Sequence, residues 1–157
     1  MAHIFALNRS EGGVPKLGVH EALITPDGME GDAQKQTHVH GGPDKALCLF
    51  SLEVMLKLQE EGHPIFPGST GENITITGLN WSQLKPGSRL KLGADTEVEI
   101  TDYTTPCNTI EESFHDRRFV RISKKLHLGQ TRLYARVIQA GKVNVGDSVE
   151  QLCPSQG

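Results

Sequence analysis

Most of this chain alternates apolar and polar residues with a period of two, in short runs separated by glycine turns. That is the signature of half-buried β-strands, and it predicts strands over residues 2–7, 17–24, 74–77, 97–100 and 133–138. Two further runs, 84–92 and 143–150, each place a glycine turn (Gly87, Gly146) ahead of an alternating strand. Residues 46–50, Ala-Leu-Cys-Leu-Phe, are apolar throughout and read as a strand buried on both faces. Only residues 52–61 carry a clear helical stripe, in Leu52, Met55 and Leu56 with Val54 and Leu58. Ser51 is the N-cap there, and Gly62 with Pro64 ends it. Residues 116–125 give a second, shorter helical pattern that sets Arg117, Arg121 and Lys124 or Lys125 on one stripe. The pattern therefore predicts a mainly β fold: a closed or nearly closed β-barrel with two or three short helices.

Three stretches fall outside these periods. Residues 8–16 form a polar loop with Gly12-Gly13 and Pro15, and residues 31–43 are rich in glycine and histidine. Residues 67–73, Pro-Gly-Ser-Thr-Gly-Glu-Asn, make a second glycine loop that feeds the strand at 74–77. Long aperiodic loops on a regular scaffold are where binding and chemistry concentrate. The loop at 67–73 lacks the Gly-Lys-Ser/Thr ending of a phosphate loop and runs into a strand, which excludes a nucleotide-binding reading. What it offers is Glu72 and Asn73, which either position a ligand or bond the turn's own backbone.

Length and composition narrow the class. A chain of 157 residues fits one domain, 1–157. A net charge of −3, with 36% hydrophobic and 22% charged residues, gives no reason to expect disorder or nucleic-acid binding. Neither a signal peptide nor a membrane span is evident, so a soluble cytoplasmic protein is expected. The three cysteines, Cys48, Cys107 and Cys153, have unrelated spacings, so neither a disulfide framework nor a structural zinc site is indicated.

Candidate chemistry centres on Cys107. Residues 100–104 read as a strand that runs into Pro106, and Cys107 follows at once. Thr109 and Glu112 have capping-box spacing, with Glu111 and Glu112 in the first turn of a helix starting there. A thiol near a helix N-terminus is expected to ionise more readily, and thiolate is the form that attacks electrophiles and binds soft metals. The competing reading is a buried cysteine that only fills space. His38 and His40, spaced i, i+2, form a metal pair that only Asp32 or Cys107 could extend. Gly41-Gly42 marks a sharp turn whose N–H groups can hold an anion, with Lys16 and Lys45 as nearby cations. A Cys–His hydrolase with His40 or His115 as base is the remaining alternative.

Gly31-Asp32, His40-Gly41-Gly42-Pro43-Asp44-Lys45-Ala46, Gly71-Glu72-Asn73-Ile74 and the lone Cys107 after a strand, in that order, resemble the MOSC domain, named for the C-terminal region of molybdenum cofactor sulfurases. The resemblance runs from about Lys16 to Leu152, and its one departure within these motifs is Ile74, where leucine is common. It implies a β-barrel and the molybdenum cofactor (molybdopterin). In family members that reduce N-hydroxylated compounds, the cysteine matching Cys107 ligates molybdenum. In sulfurases a cysteine carries sulfur to the cofactor. Carried over, the resemblance makes Cys107 the metal ligand or the bearer of a persulfide. His40, Gly41 and Gly42 become pocket wall, and Glu72 and Asn73 shape the cofactor loop. Lys16, Thr105, Arg117 and Arg121 would meet the pterin phosphate and polar edge. No pyridoxal-phosphate site or iron–sulfur motif is present in the sequence. An electron-donating flavin or iron–sulfur reductase, or a cysteine desulfurase, is therefore the expected partner, beside a small-molecule substrate. A third reading is a binder of some other small anionic ligand.

Overall fold

The computed structural model describes residues 1–33 and 42–153. Its strands are β1 (His3–Arg9), β2 (Leu17–Val19), β3 (Glu21–Thr25), β4 (Gly28–Met29), β5 (Leu47–Ser51), β6 (Ile74–Thr77), β7 (Arg89–Leu92), β8 (Thr96–Tyr103), β9 (Leu133–Gln139), β10 (Gly141–Asn144) and β11 (Val149–Leu152). The α-helix, α1, is Leu52–Glu60. Eight strands make one sheet in the order β11-β7-β8-β9-β5-β6-β1-β2, and β10-β3-β4 make a second. The fold is mainly β, as the alternation predicts.

Strand β5 explains much of the arrangement. All five of its residues are buried, as an all-apolar run requires, because it lies inside the large sheet between β6 (parallel) and β9 (antiparallel). Its last residue, Ser51, also caps α1, its hydroxyl accepting from Val54 N at 3.2 Å. The helix then lays Val54, Met55 and Leu58 on the core with Phe50, Ile74 and Ile76. Its outer side is tied to the end of β6, where the Thr77 hydroxyl donates to the Glu53 carboxylate at 2.7 Å.

Two strand expectations change. The strand expected over 17–24 is two strands in different sheets, with β2 pairing β1 and β3 pairing β10. The strands expected at 97–100 and 100–104 are one, β8, bent by register shifts after Glu97 and Ile100. Among the described residues no ladder closes the large sheet into a barrel, and β2 and β11 stand at its ends. The sheet does curl back on itself. Ile4 N bonds Asp147 O at 2.9 Å and Val149 N bonds Ala2 O at 3.0 Å, and a single bridge joins His3 to Ser148.

The helix expected over 116–125 does not form. Short 3₁₀ turns at His115–Arg117 and Phe119–Ile122 replace it, because Asp116 (φ 54°) and Arg117 (φ 57°) are left-handed and break the run. Phe114 and Ile122 are pinned in the core on either side of the break, so burial outweighs helix propensity here. Arg117 and Arg121 consequently share no stripe. Among the described residues, no helix is long and apolar enough to cross a membrane.

Candidate functional site

Strand register builds a cavity from distant parts of the chain. Cys48 on β5 pairs with Tyr134 on β9. The β8–β9 ladder runs on past Tyr103, with Thr104 N bonding Arg132 O at 2.8 Å. Thr104 then leads through buried Pro106 to Cys107. The Thr70-Gly71 loop and the Gly13–Lys16 segment close the other sides. The space between them is about 110 Å³ and partly open, and its lining includes Lys16, Cys48, Cys107, Arg132 and Tyr134.

Cys107 is partly exposed, and its Sγ lies 2.9 Å from the Thr109 hydroxyl. The expected capping box is absent: Cys107 itself stands at the N-cap of a six-residue 3₁₀ turn, Asn108–Ser113, with no side-chain cap bond. So short a turn supplies little of an α-helix dipole, and the polar group beside the thiol is the Thr109 side chain. Cys48, at the back of the cavity, has its Sγ 3.8 Å from the Thr104 hydroxyl. Burial pushes the Cys48 thiol up, with Arg132 opposing more weakly. Thiolate chemistry at Cys48 is therefore disfavoured.

Lys16 reaches the cavity wall from a buried position and pairs with Asp32 at 2.6 Å. The same Asp32 oxygen accepts from Asn73 Nδ2 at 2.9 Å, and its other oxygen accepts from Ser10 N at 2.9 Å. Asn73 Oδ1 in turn accepts from Cys48 N at 3.0 Å. Glu72 is fully buried behind the loop, accepting from the hydroxyls of Thr70 at 2.9 Å and Thr75 at 3.1 Å. Burial holds its carboxyl above the usual carboxylate range, against the opposing backbone bond from Gly68. Glu72 and Asn73 thus bond the loop and β5 in this structure and lie outside the cavity lining. Gly68 (φ 88°) is required where it stands, since a Cβ there would overlap the Lys16 carbonyl.

The remaining candidates lie elsewhere. Thr105 is exposed and is not part of the lining, to which its neighbour Thr104 contributes. Arg121 is engaged by Glu61 through two bonds of 2.8 Å, and Arg117 is exposed, 3.8 Å from Glu112. Neither arginine lines the cavity. His115 is also absent from the lining; its backbone N–H donates to His63 Nδ1 at 3.0 Å. Gly42 (φ 100°) precedes the turn Pro43–Lys45, and Lys45 sits 5.2 Å from the Tyr134 ring centre. His38, His40 and Gly41 lie outside the described residues.

The sequence reading missed Arg132. It is 6% exposed, donates from Nη1 to Thr70 O at 2.6 Å, and lines the cavity. An arginine abutting an apolar strand looks like a solvated strand end, and only the β8–β9–β5 register shows that it turns inward. Among the described residues, no group of three or more His, Cys, Asp or Glu side chains converges as a metal site.

The sequence profile of the MOSC domain matches residues 36–150. The chain is 30% identical over 144 residues to the uncharacterized protein YflK of Bacillus subtilis, covering 90% of this chain and 64% of that one. It is 28% identical over 134 residues to the protein YiiM of Escherichia coli, covering 83% of this chain and 58% of that one. It therefore spans less than two thirds of the length of either relative. The crystal structure of YiiM from Geobacillus stearothermophilus superposes with a TM-score of 0.74 at 22% identity, over 98% of this chain and 76% of that one. The chain belongs to the MOSC domain family.

Proposed function

Starting from MOSC membership, we propose that this protein binds the molybdenum cofactor and reduces N-hydroxylated compounds, with Cys107 as the protein ligand to the metal. The observation that carries the proposal is a partly exposed Cys107 thiol on a cavity that also holds a buried arginine with an unmade N–H bond. That donor set fits a group which is soft at one end and anionic at the other. It also fits a metal that supplies its remaining ligands itself. Bound there, the cofactor supplies a two-electron redox couple and a Lewis-acidic centre.

The chain's own residues supply orientation and exclusion of water. The Thr109 hydroxyl lies 2.9 Å from the Cys107 sulfur, within bonding distance. Val14, Ile110 and the Tyr134 ring wall the cavity with apolar surface. Lys16, held by Asp32, keeps a positive charge at the edge without free movement. Electrons would come from a flavin or iron–sulfur reductase. The second reading is a sulfur carrier charged by a cysteine desulfurase, with a persulfide on Cys107. The exposure of that thiol favours it, since a carrier must hand its sulfur over.

Metal analysis and pterin fluorescence on the wild type and Cys107→Ser, made in a host that synthesises the cofactor, test the proposal. Stoichiometric molybdenum in the wild type and its loss in the variant are expected, followed by turnover of an N-hydroxylated substrate panel. Molybdenum in neither protein would overturn the reductase reading. A mass increment of one sulfur on Cys107 would then support the carrier.

A further inference from the structure

Four buried side-chain polar atoms lack a partner among the described residues, and only one of them, Arg132 Nε, belongs to a residue lining the cavity. The guanidinium is otherwise fixed by its bond from Nη1 to Thr70 O. Its charge is also unmatched. Lys16 has Asp32 as its carboxylate, whereas no carboxylate of the described residues forms an ion pair with Arg132. Glu72 lies beyond Thr70, and its oxygens take the hydroxyls of Thr70 and Thr75. A buried guanidinium with a donor unmade is costly unless something in the cavity accepts from it, and its planar fork matches a two-oxygen acceptor.

We infer that Arg132 is the anion anchor of the cavity: the ligand carries an oxyanion, phosphoryl or carboxylate, that takes the Arg132 fork while the rest of it lies against Cys107. The assignment gives the anion site, which the sequence reading spread over Lys16, Thr105, Arg117 and Arg121, to a residue 6% exposed. It holds for a cofactor phosphate and for an acidic substrate alike, and it does not require metal.

The test uses the metal-free full chain carrying Cys153→Ser, since Cys153 is exposed and would react alongside Cys107. Cys107 is alkylated with anionic iodoacetate and with neutral iodoacetamide, and the modified peptide is quantified by mass. Arg132→Gln is expected to lower the iodoacetate-to-iodoacetamide rate ratio on the order of tenfold, the effect of removing a focused charge, and Arg132→Lys to keep most of it. Inorganic phosphate or benzoate should slow the iodoacetate reaction of the wild type. Protection by phosphate alone assigns a phosphoryl ligand, and protection by both assigns a carboxylate-tolerant site. A ratio unchanged in Arg132→Gln overturns the inference. If that variant fails to fold, the wild type decides: absence of protection by either anion overturns it. Because the assay contains no metal, its failure is distinct from a failure to find molybdenum.

Discussion

Glu72 shows how a residue in a family motif serves the fold directly. Its carboxyl is buried among donors and held above the usual carboxylate range by desolvation. The native state therefore binds a proton that the unfolded chain releases near pH 4.5. Stability from this group is complete below that pH and is lost as the pH rises through the raised folded value. Glu72→Gln removes the charge and keeps an acceptor, so the stability advantage of the wild type over this variant should shrink as the pH rises from 4.5 toward 8. Glu72→Ala leaves the Thr70 and Thr75 hydroxyls and a backbone N–H without their acceptor, and should cost on the order of 3 kcal/mol throughout. Urea unfolding of the three proteins across that range checks both; an advantage that grows with pH would contradict the assignment. At this scale the sequence was half legible. Cys107 stood out because it follows a strand and a proline, whereas Arg132 and Cys48 differ from ordinary strand residues only by what they face.

Elements were easier to read than residues wherever burial and local propensity agreed. The all-apolar run before Ser51 and the capped stripe after it both appear, as β5 and α1. The failure at residues 116–125 has a tertiary cause. Segment 108–123 is clamped from outside by the end of α1: Glu61 holds Arg121, and His63 accepts the His115 N–H while its ring packs edge-on against Phe114 at 5.3 Å. Nothing local to 116–125 announces those partners. The clamp is also sensitive to acid. Burial, the largest influence, pushes the His63 imidazole below its ordinary value, with Glu61 opposing. A protonated Nδ1 cannot accept from His115. Stability from neutral His63 is thus complete above its unfolded pKa of about 6.5 and is lost as the pH falls through the lower folded value. Amides of residues 114–118 should exchange faster at pH 5 than at pH 7.5 once intrinsic rates are divided out. His63→Phe should flatten that dependence, and a pH-independent wild type would remove His63 as the cause.

Across the whole molecule, the cavity exists because strands β5 and β9 of the large sheet meet the loops that carry Val14, Gly71 and Cys107, and a buried polar chain ties these parts together. It runs from Ser10, after β1, through Asp32 to Lys16, and through Asn73 to the backbone of Cys48 on β5. The side chains of Lys16 and Asp32 are 7% and 6% exposed, so each is costly without the other. The motifs Gly31-Asp32 and Gly71-Glu72-Asn73 were visible separately in the sequence, but that they meet, and meet at Lys16, follows only from the pairing of β1 with β2 and β6. Asp32→Ala strands a buried ammonium and should destabilise the protein by about 3–5 kcal/mol. Lys16→Met fills the same space without charge, and the double variant should regain much of the loss. The two changes should therefore be strongly non-additive in a double-mutant cycle read by urea unfolding. Simple additivity would mean that the pair is solvated and that the wall beside Cys107 is not held by it. Arg132 should keep its preference for anionic reagents at Cys107 in the double variant, because the lysine charge was already matched and the arginine charge was not.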